Sequence, residues 1–137
     1  CCLGLDRGNI LGAESPVVVE NTRIRKEIQR PDAVSLLDRL VEQVISQIIE
    51  YHKYGFKILG IVGINRSPSC GVDTTSNDNK EIGGAGVFVT RIKSALATCN
   101  LSIPVIGIKS DNESIERVRS LLSGFLNFEM VENGRGI

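Results

Sequence analysis

The stretch Lys57-Ile58-Leu59-Gly60-Ile61-Val62-Gly63-Ile64 decides the fold class of this 137-residue chain. It is a nearly continuous run of aliphatic and β-branched residues, which is typical of a strand buried on both faces of a parallel sheet. We therefore predict a strand over 57–64. Ligands in such sheets bind outside the carboxyl ends of the strands, so the segment after Ile64 is the first place to look for a site.

A helix is predicted immediately before this strand, over residues 32–54, because apolar side chains recur there as a broad stripe at helical spacing. Asp32 or Ser35 can cap its free N–H groups, and Gly55 stands where a left-handed residue ends a helix. Nearer the beginning of the chain, Val17-Val18-Val19 is compatible with either a strand or the start of a helix.

The segment after the strand is rich in Asn, Asp, Gly and Ser, which predicts a long loop over 65–86. A second helix is predicted to begin near Gly86, with Cys99 as a small buried residue on its apolar face. Residues 103–108 supply the following strand. Together these elements predict a strand–helix–strand unit.

The last part of the chain is predicted to be a helix followed by a short edge strand. Ser110 and Glu113 have the spacing of a capping box before the helix, and residues 126–137 are assigned to the edge strand. Alternating elements of this kind predict an α/β fold, specifically a Rossmann-like three-layer domain with a mostly parallel sheet. We expect residues 1–137 to form a single domain, and, because the chain starts at Cys1 rather than Met, to lack an N-terminal segment.

The composition favours a soluble protein of a reducing compartment. Sixteen basic and sixteen acidic residues leave no net charge, so no long-range field favours nucleic acid or an acidic membrane surface. Apolar stretches fall far short of the roughly 20 residues that cross a bilayer. Four irregularly spaced cysteines do not make a disulfide framework, so we expect a cytoplasmic protein that uses thiols for metal binding or catalysis.

The loop after the strand begins with Ser67-Pro68-Ser69-Cys70-Gly71, which places two hydroxyls and one thiol within five residues. The proline stiffens such a turn, and the glycine at its end permits a positive φ. Successive backbone N–H groups in a turn of this kind stabilise sulfide or oxyanion charge. We therefore predict that Cys70 carries the chemistry. The alternative is a solvent-facing turn with an incidental cysteine.

Basic side chains near this turn can add positive charge, and the candidates are Arg66 together with Lys57 or Lys109. Arg7 and Arg66 are also candidates to bind a carboxylate or a carbonyl of a substrate.

The segment Gly63-Ile64-Asn65-Arg66-Ser67-Pro68-Ser69-Cys70-Gly71-Val72, followed by Gly84-Ala85-Gly86-Val87-Phe88, resembles the 2-thiouracil desulfurase family. The resemblance is greatest to the smaller desulfidase members of that family and covers roughly residues 33–108. A second stretch, Leu3-Gly4-Leu5-Asp6-Arg7, resembles another segment of the family.

The resemblance implies a [4Fe–4S] cluster that three cysteines hold, with one iron open to bind and withdraw sulfur from a thiocarbonyl substrate. Cys70 matches the third of these cysteines, and Gly71 completes the cofactor-binding turn. Ser67 stands at the first serine of the family motif, which implies proton transfer or orientation of the substrate, and Ser69 is the alternative.

The chain departs from the family where the other two ligands are expected. The family has a Cys-Leu-Leu segment and a Cys-Pro-Glu segment, and neither is present intact. By the resemblance, Cys1 or Cys2 stands near the second ligand position, and Glu14 or Glu20 is a candidate for the catalytic acid. The expected function is that of a desulfurase or desulfidase acting on a small thiolated molecule.

Two other hypotheses are compatible with the sequence. In one, Cys70 is the nucleophile or base of an enzyme without a cluster. In the other, the domain is non-catalytic and binds a nucleotide or a metal to regulate a partner. Residues 83–86 open a helix with three glycines, so free N–H groups there can bind an anion, or the segment can act as a flexible hinge. The wide apolar stripe over 32–54 also leaves room for a homodimer.

Overall fold

The computed structural model describes Leu5 and residues 15–133, with side chains described as far as residue 124. The elements in these residues are α1 (Val17–Glu27), α2 (Pro31–Lys53), β1 (Ile61–Ile64), β2 (Thr74–Asn77), β3 (Lys80–Gly83), α3 (Val87–Thr98), β4 (Val105–Ile108) and α4 (Asn112–Asn133). None of the helices in the described residues is long and apolar enough to cross a membrane.

The strands β1 and β4 pair in parallel, with Ile61 opposite Val105 and Ile64 opposite Ile108. Since α3 lies between them in the chain, the predicted strand–helix–strand unit is confirmed, and so is the α/β class. The remaining described strands, β2 and β3, form a separate antiparallel pair. The described residues therefore contain one parallel and one antiparallel pair of strands, which is a mixed α/β arrangement.

The helix α2 confirms the prediction over 32–54 to within one residue at each end. It begins with Pro31 as its first residue and has no side-chain cap, so neither Asp32 nor Ser35 has the predicted capping role. Its end is as predicted, because Gly55 has a φ of 80° and its N–H donates to the carbonyl of His52. This left-handed glycine closes the last turn of the helix.

Two apolar clusters hold the helices together. The first joins α2 and α3 through the side chains Val41, Ile45, Ile48, Ile92 and Leu96. The second joins α1 to the first turns of α2 and consists of Leu5, Ile24, Ile28, Ala33 and Leu37. The structure also decides between the two possibilities at the valines: Val17–Val19 begin a helix, α1, and not a strand.

The predicted strand over 57–64 is shorter in the structure and is not buried on both faces. Only Ile61–Ile64 form a strand, and the side chains of Val62 and Ile64 are 45% and 61% exposed. Neighbouring side chains alternate between the faces of a strand. Ile61 packs against the cluster between α2 and α3. The opposite face, which carries the side chains of Val62 and Ile64, is partly exposed among the described residues.

The segment predicted as a loop over 65–86 contains the β2–β3 hairpin. Its two-residue turn is Asp78-Asn79, and both residues have positive φ, 48° and 57°. This is the geometry of a type I′ turn, which matches the twist of an antiparallel pair and favours Asn and Asp. The signal was present in the sequence as two polar residues between two short runs that suit strands.

Three further predictions are wrong in detail. Cys99 is exposed because it follows the last residue of α3 and caps its end, one step beyond the buried stripe. The last helix is capped by Asp111, whose Oδ1 accepts the N–H of Ser114, so the predicted box of Ser110 and Glu113 is displaced by one residue. The predicted edge strand is helical as far as Asn133, and residues 134–137 lie outside the described residues.

Candidate functional site

The turn that carries Cys70 follows the carboxyl end of β1, as the sequence predicted. The N–H of Ser67 donates to the carbonyl of Ile64, the last residue of the strand, at 3.2 Å. The N–H of Gly71 donates back to the carbonyl of Ser67 at 3.1 Å, which closes a single helix-like turn over residues 67–71. Cys70 is half-buried in this turn.

The side chain of Ser67 shapes the turn from within. Its Oγ accepts the N–H of Cys70 at 3.0 Å and that of Ser69 at 3.3 Å. These bonds use the oxygen as an acceptor and leave the hydroxyl proton available for donation. Ser67 is therefore in contact with the backbone of the predicted site residue, while its described bonds are those of a serine that holds a turn.

The turn also caps the helix α3. The carbonyl of Pro68 accepts the N–H of Val87, and the carbonyl of Ser69 accepts those of Phe88 and Val89. The first N–H groups of a helix otherwise lack partners, and its amino end carries partial positive charge. The N–H groups of Gly84 and Gly86 are also taken, by the carbonyls of Asp73 and Gly71. The described bonds therefore do not support the possible anion site at the start of this helix.

Three glycines allow the chain to pack this closely. A Cβ at Gly63 would collide with the carbonyl oxygen of Cys70, and one at Gly86 would collide with the carbonyl of Ser69. A Cβ at Gly71 would collide with the carbonyl of Thr74. Gly71 was expected to supply a positive φ, but its role in the structure is close packing, since the positive φ in this part of the loop belongs to Arg66.

Asn65 is a central residue of the site that the sequence analysis did not identify. Its side chain is buried, and its Oδ1 accepts the N–H groups of Val72 and Asp73 at 3.2 and 3.0 Å. Its Nδ2 donates to Oδ2 of Asp73 at 3.0 Å. The amide lies against Gly107 of β4, where a side chain would displace it. Asn65 thus fixes the exit of the cysteine turn to the ends of both parallel strands.

Two ion pairs surround this exit. Arg117 of α4 donates to Oδ2 of Asp73 at 3.0 Å and to the carbonyl of Gly107 at 2.7 Å. The hydrogen bond from Asn65, reinforced by Arg117, holds the pKa of the Asp73 carboxyl below its ordinary value of 3.8.

Lys109 and Glu81 make the second ion pair, in which Nζ and Oε1 are 2.6 Å apart. This bond holds the pKa of Glu81 below its ordinary value of 4.5. Lys109, Arg117 and Asn65 line a polar pocket of about 200 Å³ together with the first turn of α4.

The structure separates the other predicted cations. Lys109 lies at the carboxyl edge of the sheet, but it is engaged with Glu81. Lys57 lines a pocket with His52 and Asn100, beside the segment that leads into β1, so it is not part of the cysteine turn. Arg66 directly precedes the cysteine turn in the chain.

Among the described residues, Cys70 is the one cysteine that the sequence analysis named as a cluster ligand, and the other described free cysteine is Cys99. No group of three or more His, Cys, Asp or Glu side chains that could hold a metal ion occurs among the described residues. Cys1, Cys2, Glu14 and Arg7 lie outside the described residues. Glu20, the other candidate acid, lies on α1 and its carboxylate pairs with Arg23.

Comparisons with known proteins add no further assignment: no protein-family model, no curated protein and no solved structure matches the chain. The geometry around Cys70 is therefore what bears on function.

Proposed function

We propose that this chain is an enzyme of the desulfurase or desulfidase type, which replaces the sulfur of a small thiolated molecule by oxygen. In the net reaction a C=S bond is broken, a C=O bond is formed with the oxygen of water, and the sulfur leaves as hydrogen sulfide. The observation that carries this proposal is the half-buried Cys70, held in a closed turn at the carboxyl end of a parallel strand.

The rigidity of the turn supports a chemical rather than an incidental role for the thiol. Backbone atoms on both sides of Cys70 bond to Ser67, β1 or α3, and Gly63 and Gly86 admit no larger residue without displacement. A fixed ligand or nucleophile needs no reorganisation when it acts. An incidental cysteine in a surface turn has no need of this support.

The cofactor that we propose is a [4Fe–4S] cluster, with Cys70, Cys1 and Cys2 as the candidate ligands. When bound through three cysteines, such a cluster supplies an iron with an open position for the departing sulfur. The chain itself would supply the sulfur of Cys70 as a ligand and the hydroxyl of Ser67 or Ser69 as a proton donor. The N–H groups of the turn, which the sequence analysis assigned to stabilising charge, instead donate to Ile64 and Ser67.

The proposal extends to the arrangement of the sheet, the cellular compartment and the partners of the chain. We propose that the β1–β4 pair is part of a Rossmann-like three-layer domain, which is supported by α2 and α3 packing beside Ile61 and by Leu121 of α4 reaching Gly60. We propose a cytoplasmic setting, because iron–sulfur clusters and free thiols suit a reducing compartment. The partner is a small thiolated substrate, with no role for nucleic acid or membrane, and a homodimer is compatible with the exposed side chains of α2.

Product analysis tests the proposed activity. The chain, incubated anaerobically with iron and sulfide, is given 2-thiouracil, 4-thiouracil and their nucleosides, and the oxo products are measured by chromatography. We expect one of these compounds to be converted by the original chain and by Cys99→Ser, and not by Cys70→Ser. The exposed Cys99 is the matched control because it is a free thiol outside the turn.

The same experiment separates the alternatives. Conversion that needs Cys70 but is unchanged without iron would indicate a cluster-free enzyme in which Cys70 is the nucleophile or base. Absence of conversion, together with nucleotide or metal binding that survives Cys70→Ser, would indicate a regulatory binding domain.

A further inference from the structure

Arg66 adopts a backbone conformation that its residue type rarely adopts. Four described residues other than glycine have a positive φ, and three of them are Asp78, Asn79 and Asn100. Asn and Asp enter the left-handed region readily because their short polar side chains bond locally. Arg66 has a φ of 69°, and its long side chain does not stabilise the left-handed region by such local bonds. Glycine would adopt this backbone conformation with less strain.

The surrounding structure holds Arg66 in place through its backbone. Its N–H donates to the carbonyl and to Oγ1 of Thr74, at 3.0 and 3.1 Å. Its carbonyl accepts the hydroxyl of Ser76 at 2.6 Å and Nδ2 of Asn21 at 3.2 Å. Ser76 is 0% exposed and Asn21 is 5% exposed. Two buried polar side chains, one from β2 and one from α1, therefore serve the carbonyl of one strained residue.

All of these bonds involve backbone atoms of position 66 and would form equally with glycine there. The feature that glycine lacks is the guanidinium group, which is exposed. It is not a partner in the ion pairs described for this loop, in which Asp73 pairs with Arg117 and Glu81 pairs with Lys109. It lies near enough to Glu81 for its charge to help lower the pKa of that carboxyl, behind the larger effect of Lys109. Strained residues of this kind concentrate at functional sites, where the surrounding structure sustains the strain.

The position of Arg66 relates it to Cys70. It directly precedes Ser67, so their Cα atoms are about 3.8 Å apart. The Oγ of Ser67 in turn accepts the N–H of Cys70 at 3.0 Å. A molecule whose sulfur lies at Cys70 is therefore within the reach of a long side chain from position 66.

We propose that the guanidinium of Arg66 binds an oxyanion group, a carboxylate or a phosphate, of the thiolated substrate and so selects acidic substrates over neutral ones. This inference rests on the proposed function for the thiolated part of the molecule. A guanidinium matches both oxyanions through two parallel hydrogen bonds, and it retains its charge at any physiological pH.

The test compares compounds that differ only in the oxyanion. One pair is 2-thiouracil and its 6-carboxylate, and the other is 2-thiouridine and its 5′-monophosphate. Dissociation constants are measured by calorimetry on the chain without iron, and again after reconstitution. We expect the acidic member of at least one pair to bind about tenfold more tightly or better, and the pair that shows the preference identifies carboxylate or phosphate as the group.

The variants separate recognition from folding. Arg66→Gly relieves the strain, so we expect its melting temperature to rise by about 2 °C while the preference for the acidic compound is lost. Arg66→Lys retains the charge and part of the preference. Asn100→Gly is the matched control, because it also replaces a residue with positive φ. Asn100 follows the carboxyl end of α3, whereas the cysteine turn caps the amino end of that helix, so this variant should leave the preference unchanged.

Two results would overturn the proposal: equal affinity within both pairs for the original chain, including no measurable binding, or an unchanged preference in Arg66→Gly. Failure of the chain to take up iron bears on the proposed function alone, because the binding to Arg66 is measured on the chain without iron.

Discussion

Replacing Asn65 with alanine removes the side chain that ties the exit of the cysteine turn to β1 and β4. The variant loses acceptors for the N–H groups of Val72 and Asp73 and the donor to Oδ2 of Asp73. Val72 is buried, so its unpaired N–H costs about 2 kcal/mol. Asp73 is exposed and its groups can be rehydrated, so each of its two lost bonds costs about 0.5 kcal/mol.

The expected loss for Asn65→Ala is therefore about 3 kcal/mol in the free energy of unfolding. Urea denaturation followed by circular dichroism measures it directly. With a slope of about 2 kcal/mol per molar urea for a chain of this size, the midpoint should fall by about 1.5 M. A second readout is the alkylation rate of Cys70 relative to Cys99, which should rise as the turn loosens.

A charge exchange provides the matched control. Asn65→Asp retains an acceptor for the two N–H groups but places a carboxylate opposite Asp73, so it should destabilise the protein at neutral pH. Adding Asp73→Asn restores a donor and an acceptor and should recover most of the stability. A loss below about 1 kcal/mol in Asn65→Ala, or no recovery in the double variant, would refute the role assigned to Asn65.

Three other predictions follow from the site. Gly86→Ala should destabilise the fold by about 2 kcal/mol, because its Cβ collides with the backbone beside Cys70. Gly83→Ala is the control, since its Cβ meets nothing within 4 Å, and it should change stability by less than about 0.5 kcal/mol. Equal melting temperatures for the two variants would contradict this. Because the pKa of Asp73 is lower in the folded protein than its ordinary value of 3.8, ionised Asp73 stabilises the fold above pH 3.8, and this stabilisation is lost as the pH falls through the folded-state pKa. Asp73→Asn should therefore flatten the decline of stability in acid. An unchanged dependence of stability on pH in acid would argue against the pairing of Asp73 with Asn65 and Arg117. Cys99 should react rapidly with iodoacetamide, and Cys99→Ser should change stability by less than about 0.5 kcal/mol; protection of this thiol in peptide mapping would restore its assignment to the core.

The parts of the fold that the sequence predicts well are those with a dominant apolar pattern. The stripe of α2 and the left-handed Gly55 at its end specify one helix whose bounds differ by a single residue from the prediction. The predicted strand is longer than β1 because apolar residues alone do not show where pairing with β4 begins, and the first pairing in the structure is at Ile61.

The parts that were missed depend on contacts between distant positions. Asn65 is one polar residue among many in its loop, and its role appears only when Gly107 and Asp73 are brought to it by folding. The strain of Arg66 depends on Ser76 and Asn21, which are 10 and 45 positions away in the chain. By contrast, the β2–β3 hairpin could have been found from its Asp78-Asn79 turn.

Iron uptake by Cys70 variants tests the central claim most directly, because the claim is that this thiol is a ligand of the chemical centre. The original chain, Cys70→Ser and Cys99→Ser are incubated anaerobically with iron and sulfide, desalted, and analysed for bound iron and for visible absorption. We predict about four iron atoms per chain for the original protein and for Cys99→Ser, with a severe loss for Cys70→Ser. Equal iron in all three proteins, or none in the original chain, would contradict the account.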